Sequence, residues 1–127
     1  MLTGPRIRTP IAAAALIAML ATPASARPVG RVVPTRDTRI VKALYTTWTP
    51  STIGISRNDT IKWKVVTGSH TVTAYGGNWQ FNHSLNLGSP VARRFNHTAT
   101  FKFRCTFHSS LAGNSCTGMC GKVVVSA

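Results

Sequence analysis

The stretch 101–125 constrains the fold of this chain more than any other. Residues 101–105 alternate between apolar and basic side chains, and a period of two predicts a strand with one buried face. Residues 123–125 are all valine and predict a second strand. The segment between them is rich in glycine and serine and also carries side chains that bind transition metals. We therefore expect a strand, a connection that contains metal donors, and a second strand.

The rest of the chain consists of short segments of the same kind. Runs of β-branched and aromatic residues are separated by residues that favour turns, and no segment of helical length has an apolar face with a period of 3.6 residues. Strands are predicted at 39–45, 52–56, 60–66, 70–75, 91–96, 99–105 and 123–125. Residues 46–50 are predicted to form a turn and 79–90 an irregular loop. Seven to eight short strands without a helix predict an all-β protein, a β-sandwich.

Residues 1–26 have the pattern of a secretory signal peptide. Two arginines begin the segment, 11–21 is an uncharged apolar run, and Ala-Ser-Ala at 24–26 has the small residues of a cleavage site. The apolar run is shorter than the roughly 20 residues that a membrane-spanning helix needs. We therefore expect a secreted or periplasmic protein. The predicted organisation is a signal peptide at 1–26, a flexible leader at 27–38 and a single domain at 39–127.

Removal of the signal peptide leaves a strongly basic chain. The formal net charge falls from +13 to +11 with the loss of two arginines, and only Asp37 and Asp59 are acidic. Such a cation is attracted to acidic partner proteins or to an anionic envelope surface, although the charge has a second explanation in solubility alone. Specific nucleic-acid binding is not expected, because the basic residues are dispersed and no recognition motif is present. Two carboxylates are also too few for most acid–base catalysis, so an enzyme is not expected.

Three cysteines are an odd number for an exported domain. Cys116 and Cys120 are four residues apart and close enough to form a disulfide if the chain turns tightly, although the sequence does not determine the pairing. Cys105 would then remain a thiol in an oxidising compartment. Metal binding is a chemical reason to keep such a thiol reduced.

The order of donor residues matches a type 1 copper site. Such sites use two imidazoles, one thiolate and a weak axial thioether. His70 begins a predicted strand, Cys105 ends another, His108 follows three residues later, and Met119 precedes the last strand. His83 and His97 lie in polar turns and are not expected to bind the functional metal.

Three segments resemble those of cupredoxins of the plastocyanin and pseudoazurin type. They are Asn58–Trp63 with Gly68–Val72, Phe103–His108, and Gly118–Val123. The resemblance covers Ile40–Val125. It implies a Greek-key β-sandwich, one copper ion that alternates between Cu(I) and Cu(II), and single-electron transfer between redox partner proteins. We expect the protein to be a monomer. The ligands that it implies are His70, Cys105, His108 and Met119.

One departure from the cupredoxin pattern concerns Met119. In those proteins the axial methionine follows the second histidine after only a few residues, whereas here ten residues lie between His108 and Met119. Two outcomes remain open. Either a Cys116–Cys120 disulfide pinches off the extra residues and returns Met119 to its usual place, or the axial position is weakened or empty.

Other functions use some of the same residues. A zinc site could form from Cys105, His108, Cys116 and Cys120, but it needs three reduced thiols outside the cell and leaves His70 without a role. A copper carrier or storage protein would share the copper ligands but exchange the metal readily. A copper oxidase or nitrite reductase would need further domains and histidine clusters, and a metal-free structural β-sandwich would leave the order of donors a coincidence.

Overall fold

The computed structural model describes Gly4 and residues 35–127. The predicted signal peptide, apart from Gly4, and leader residues 27–34 lie outside the described residues. The described part of the chain contains nine strands and no helix, and accordingly no helix there is long and apolar enough to cross a membrane. The strands are β1 (Thr38–Leu44), β2 (Thr47–Thr49), β3 (Thr52–Ser56), β4 (Thr60–Val65), β5 (His70–Tyr75), β6 (Asn82–Leu85), β7 (Val91–Arg94), β8 (Ala99–Ala112) and β9 (Ser115–Ser126).

The strands form two sheets that face each other. One sheet has the order β2-β1-β4-β7, and the other has the order β3-β9-β8-β5-β6. The chain therefore crosses repeatedly between the sheets, and each sheet contains one parallel pair, β1 with β4 and β3 with β9. This arrangement confirms the predicted β-sandwich.

The core lies between the two sheets and follows the alternation in the sequence. In β4, Ile61, Trp63 and Val65 are buried, as their period of two predicted, while the lysines between them point outward. The ring of Trp63 packs edge-on against Phe103 of β8, with ring centroids 5.4 Å apart. Residues of both sheets thus interlock, and burial of these large side chains is the main source of stability.

The strand count is a correction to the predicted seven to eight. β2 falls in the segment predicted as a turn, and β6 falls in the segment predicted as an irregular loop. Each buries only one side chain, Trp48 in β2 and Leu85 in β6, so neither shows a repeating apolar pattern. These short strands are stabilised mainly by their pairing with β1 and β5.

The last two strands are much longer than predicted. β8 and β9 continue as a paired ribbon over 109–118, with Ser109 opposite Gly118 and Ala112 opposite Ser115. Apart from Cys116 and the half-buried Ser109, the ribbon residues are exposed. Since cross-strand hydrogen bonds rather than burial hold the ribbon, the sequence shows no apolar alternation there.

Candidate metal centre

His70 lies at the first position of β5, directly after a tight turn. The turn contains Gly68 with φ of 86°, a conformation that favours glycine. The His70 side chain is only 1% exposed, and its Nε2 lies 2.6 Å from the backbone carbonyl oxygen of Thr67. Because a carbonyl only accepts hydrogen bonds, Nε2 carries the proton and donates. Nδ1 is therefore left with a lone pair that faces the site, as a metal ligand requires.

Cys105 is a buried free thiol between two imidazoles. Its Sγ lies 3.7 Å from Nδ1 of His70 and 3.4 Å from Nδ1 of His108. The three donor atoms lie within 4.8 Å of one another, and we call the end of the sandwich that holds them the donor end. The fold thus brings together His70 and Cys105, which are 35 positions apart in the sequence.

The sulfur also receives a backbone hydrogen bond. The N–H of Thr71 points to Sγ of Cys105 at 3.5 Å, and the Thr71 hydroxyl oxygen accepts a bond of 2.9 Å from the N–H of Thr106. Both bonds join Thr71 of β5 to the part of β8 that carries Cys105.

A wide bulge in β8 places Cys105 and His108 together. Arg104 pairs with Cys120 and Ser109 pairs with Gly118, so that residues 105–108 of β8 lie opposite a single residue of β9, Met119. The Ser109 hydroxyl donates to the Cys105 carbonyl oxygen, and the guanidinium of Arg104 donates to the Ser109 hydroxyl oxygen at 3.1 Å. These bonds close the bulge into a tight turn.

Met119 is buried opposite that bulge. Its side chain is 1% exposed, and its backbone carbonyl oxygen accepts a hydrogen bond of 3.1 Å from Nε1 of Trp48. The preceding Gly118 has φ of 94°, and a Cβ there would collide with the carbonyl oxygen of His108. Glycine is thus required for β9 to approach the bulge closely.

Cys116 and Cys120 form a disulfide, with their Cα atoms 6.2 Å apart. Their sulfurs are bonded to each other and leave no thiolate for zinc. The alternative zinc site is therefore contradicted, since it needs both cysteines as ligands. The exposed His83 and His97 lie outside the group of donors.

The donor end is apolar at its surface. His108 is partly exposed, and its ring lies 6.5 Å from that of Phe107, which is 66% exposed. β1 and β4 run parallel and end at the donor end, and the β6–β7 connection also lies there because Leu85 pairs with His70. The exposed apolar side chains that these segments bring to the donor end are Tyr45, Val66, Leu87 and Phe107 (the apolar rim).

Both acidic residues that the chain possesses lie at the opposite end. Asp37 and Asp59 directly precede β1 and β4, and the Asp59 carboxylate accepts hydrogen bonds from the backbone N–H groups of Asp37 and Ser56. Neither carboxylate side chain of the protein therefore lies near the donor end.

Several supporting residues were not anticipated from the sequence. Trp48 lies in a segment whose sequence predicts a turn, and the roles of Thr67, Thr71 and Ser109 follow only from contacts seen in the folded structure. A large aromatic residue among threonines was the one available signal, since Trp48 is too large and apolar to favour a solvated turn.

The residues present fit copper. Two imidazole nitrogens and one sulfur converge in a buried pocket, the His70 tautomer presents a lone pair, and a buried thioether lies opposite the bulge. This mixture of nitrogen and soft sulfur donors is the set that type 1 copper sites use. His70, Cys105, His108 and Met119 therefore form a type 1 copper-like site.

Comparisons with known proteins agree with this fold. No family model and no curated protein matches the sequence. An oxidised amicyanin mutant is 18% identical with a TM-score of 0.56, covering 68% of this chain and 80% of its own. A pseudoazurin from Sinorhizobium meliloti is 14% identical with a TM-score of 0.57, covering 72% of this chain and 75% of its own. A copper-containing nitrite reductase from Thermus scotoductus is 17% identical with a TM-score of 0.55, but the match covers 74% of this chain and only 23% of the enzyme. These likenesses confirm the cupredoxin β-sandwich fold.

Proposed function

We propose that this protein binds one copper ion through His70, Cys105, His108 and Met119 and carries single electrons between partner proteins. The observation that carries the proposal is the convergence of one thiol and two imidazole nitrogens within 4.8 Å at one end of a rigid sandwich. The bound copper would supply the one-electron couple. The residues of this chain determine how the metal is held and how partners reach it.

The donors are held in place before the metal arrives. His70 is fixed by its bond to Thr67, and Cys105 is fixed by the bond from Thr71 and by the closed turn of the bulge. A site that cannot rearrange freely changes little in geometry between oxidation states, which keeps the barrier to electron transfer low. The burial of His70 and Cys105 excludes water from these donors.

His108 is the proposed exit for the electron. It is the most exposed of the three donors, and the apolar rim surrounds its end of the sandwich. An apolar surface can be desolvated cheaply when a partner docks, so that the partner's redox centre approaches His108 closely.

The proposed partners have acidic surfaces. The formal charge without the signal peptide is +11, and both aspartates lie far from the donor end. Electrostatic steering would raise the rate of encounter with an acidic protein. We further propose that the protein acts as a monomer after export to the periplasm or beyond, where an anionic envelope surface is a second attraction for it.

The first test is titration of the full-length protein with Cu(II), followed by its visible spectrum. Thiolate-to-copper charge transfer should give intense visible absorption that reaches its maximum at one equivalent. Cys105→Ser should abolish the absorption, whereas His97→Ala should leave it intact, because His97 is exposed and lies outside the donor group. Colourless binding of copper by the unaltered protein would contradict the proposed site.

A further inference from the structure

We propose that the Cys116–Cys120 disulfide is a thiol–disulfide exchange site for a dithiol reductant, and that its oxidised form clamps Met119 opposite the metal donors. The effect of the disulfide on copper binding by Met119 rests on the function proposed above. The exchange and the clamp can be measured in the metal-free protein. Each part of the proposal follows from a separate feature of the structure.

The disulfide fastens a sharp bend in β9. Residues four apart in an extended strand are separated by about 13 Å, whereas the Cα atoms of Cys116 and Cys120 are only 6.2 Å apart. Gly118, with φ of 94°, allows the chain to turn between them. Met119 lies within this bend and is buried, while both half-cystines are partly exposed. The disulfide therefore closes the bend from outside, and Met119 points inward from it.

Apart from Met119, the bend has few buried contacts. The adjoining ribbon is almost entirely exposed and makes no core of its own, and Leu111, its largest apolar residue, is 39% exposed. The buried Met119 side chain and the hydrogen bond from Trp48 to the Met119 carbonyl oxygen tie this part of β9 to the core. An opened disulfide should therefore let the bend relax while the sandwich itself remains folded.

An external thiol can reach the disulfide through an open groove. The groove has a volume of about 370 Å³, and both half-cystines line it. Lys102 and Lys122, which face each other across β8 and β9, line the same groove. Burial raises the pKa of Tyr75, another lining residue, so its phenol stays neutral at physiological pH. The two lysines thus dominate the charge of the groove, and they attract the thiolate that carries out exchange.

The protein's own thiol does not lie next to the disulfide. Cys105 is completely buried between His70 and His108, whereas Cys120 pairs with the outward-facing Arg104 and lines the outer groove. Reduction therefore needs a separate reductant. One thiolate of a dithiol attacks a sulfur of the Cys116–Cys120 bond and forms a mixed disulfide, and the second thiol of the reductant then displaces the protein sulfur. Two electrons and two protons pass to the protein, which gains two thiols, and the reductant leaves as a disulfide.

The direct test follows Met119 in the metal-free, full-length protein. The chain has three methionines, so labelling with ¹³C-methyl methionine gives three methyl signals, and Met119→Leu identifies that of Met119. We expect dithiothreitol under native conditions to produce two additional alkylatable thiols and to shift the Met119 signal towards that of a solvated methionine. A disulfide that is reduced only after unfolding would overturn the exchange site, and reduction without a shift of the Met119 signal would overturn the clamp.

The groove is tested by the rate of reduction. With an anionic thiol, glutathione, the double variant Lys102→Gln/Lys122→Gln should be reduced severalfold more slowly than the unaltered protein at low ionic strength. Lys64→Gln is the matched control, because Lys64 is exposed on the other sheet. Equal rates for the double variant and the unaltered protein would show that the lysines do not recruit the thiol, which overturns the assignment of the groove.

The consequence for the metal is tested with Cys116→Ser/Cys120→Ser loaded with copper. Its electron paramagnetic resonance spectrum should shift in the same direction as that of Met119→Leu, whereas Ser115→Ala should resemble the unaltered protein. If Met119→Leu changes the spectrum and the double variant does not, the clamp is overturned. If Met119→Leu itself changes nothing, the axial ligand of the proposed function fails, and the methyl signal of the metal-free protein still decides the clamp.

Discussion

The two halves of the metal centre are held in different ways. On one side, His70 and Cys105 are buried in strands of the sandwich, where His70 donates to the Thr67 carbonyl oxygen and Cys105 accepts from the Thr71 N–H. On the other side, Met119 lies in a bend of β9 that a disulfide and a glycine maintain. The first half takes its geometry from the fold as a whole, whereas the second depends on a local device. Substitutions in the core, in the bend and between the strands should therefore have separable effects.

The largest effect is expected from Phe103→Ala, which removes the packing beneath the first half. Phe103 is completely buried and contacts the rings of Trp48 and Trp63, with centroids 5.2 and 5.4 Å away. Loss of a buried phenylalanine costs about 3–5 kcal/mol. Urea unfolding of the metal-free protein measures the change. Leu111→Ala on the exposed ribbon is the control and should cost less than about 0.5 kcal/mol. Equal costs at the two sites would abolish the distinction between the halves.

A smaller effect is expected from Gly118→Ala, which strains the second half. A side chain at φ of 94° costs about 1–3 kcal/mol, and its Cβ would also meet the His108 carbonyl oxygen. The bulge and the bend should therefore separate, which displaces Met119 from the donors. The copper-loaded Gly118→Ala variant should show an altered visible spectrum. Its free energy of unfolding should also be lower than that of the unaltered protein. Gly113→Ala is the matched control, because it too has positive φ but has open space around it. An unchanged spectrum for Gly118→Ala would contradict the close approach of β9.

Thr71→Val sharpens the comparison within the first half. The variant keeps the backbone N–H that points to the Cys105 sulfur but removes the hydroxyl oxygen that accepts from Thr106. Loss of an intramolecular hydrogen bond of this kind costs about 0.5–1.5 kcal/mol. Amide hydrogen exchange at Thr106 should accelerate, because its N–H no longer has the Thr71 hydroxyl oxygen as a hydrogen-bond acceptor. Thr117→Val, on the exposed ribbon, should leave that exchange rate unchanged. Protection that persists in Thr71→Val would show that the tie between β5 and β8 does not depend on this hydroxyl.

The smallest of these effects concerns the net positive charge of the protein. Electron transfer to a small acidic redox protein should slow as ionic strength rises, because salt screens the attraction on which steering depends. Stopped-flow measurement at several salt concentrations gives the slope. A rate that does not change with salt would show that electrostatic steering does not contribute, and docking would then depend on the apolar rim.

The sequence predicted the first half of the centre far better than the second. Alternating burial in β4 and in the first part of β8 appears directly in the sequence, since each strand has one face in the core. The strand contexts of His70, Cys105 and His108 could therefore be predicted. The position of Met119 could not, because it depends on the register between β8 and β9 and on a bend closed by Cys116 and Cys120. Neither feature leaves a periodic pattern.

The same reason explains the strands that were missed. Trp48 in β2 and Leu85 in β6 are single buried residues in short strands that otherwise face solvent. Their contribution comes from partners distant in the sequence, such as the Met119 carbonyl that Trp48 contacts. Propensity over a short window does not contain that information.

The central claim is that a copper ion held by this chain cycles between its two oxidation states without leaving the protein. Voltammetry of the copper-loaded, full-length protein over repeated cycles, with metal analysis afterwards, tests it most directly. We expect a reversible one-electron wave, full retention of copper, and loss of the wave in Cys105→Ser. Release of the metal on reduction would contradict an electron carrier and identify a protein that transports or stores copper.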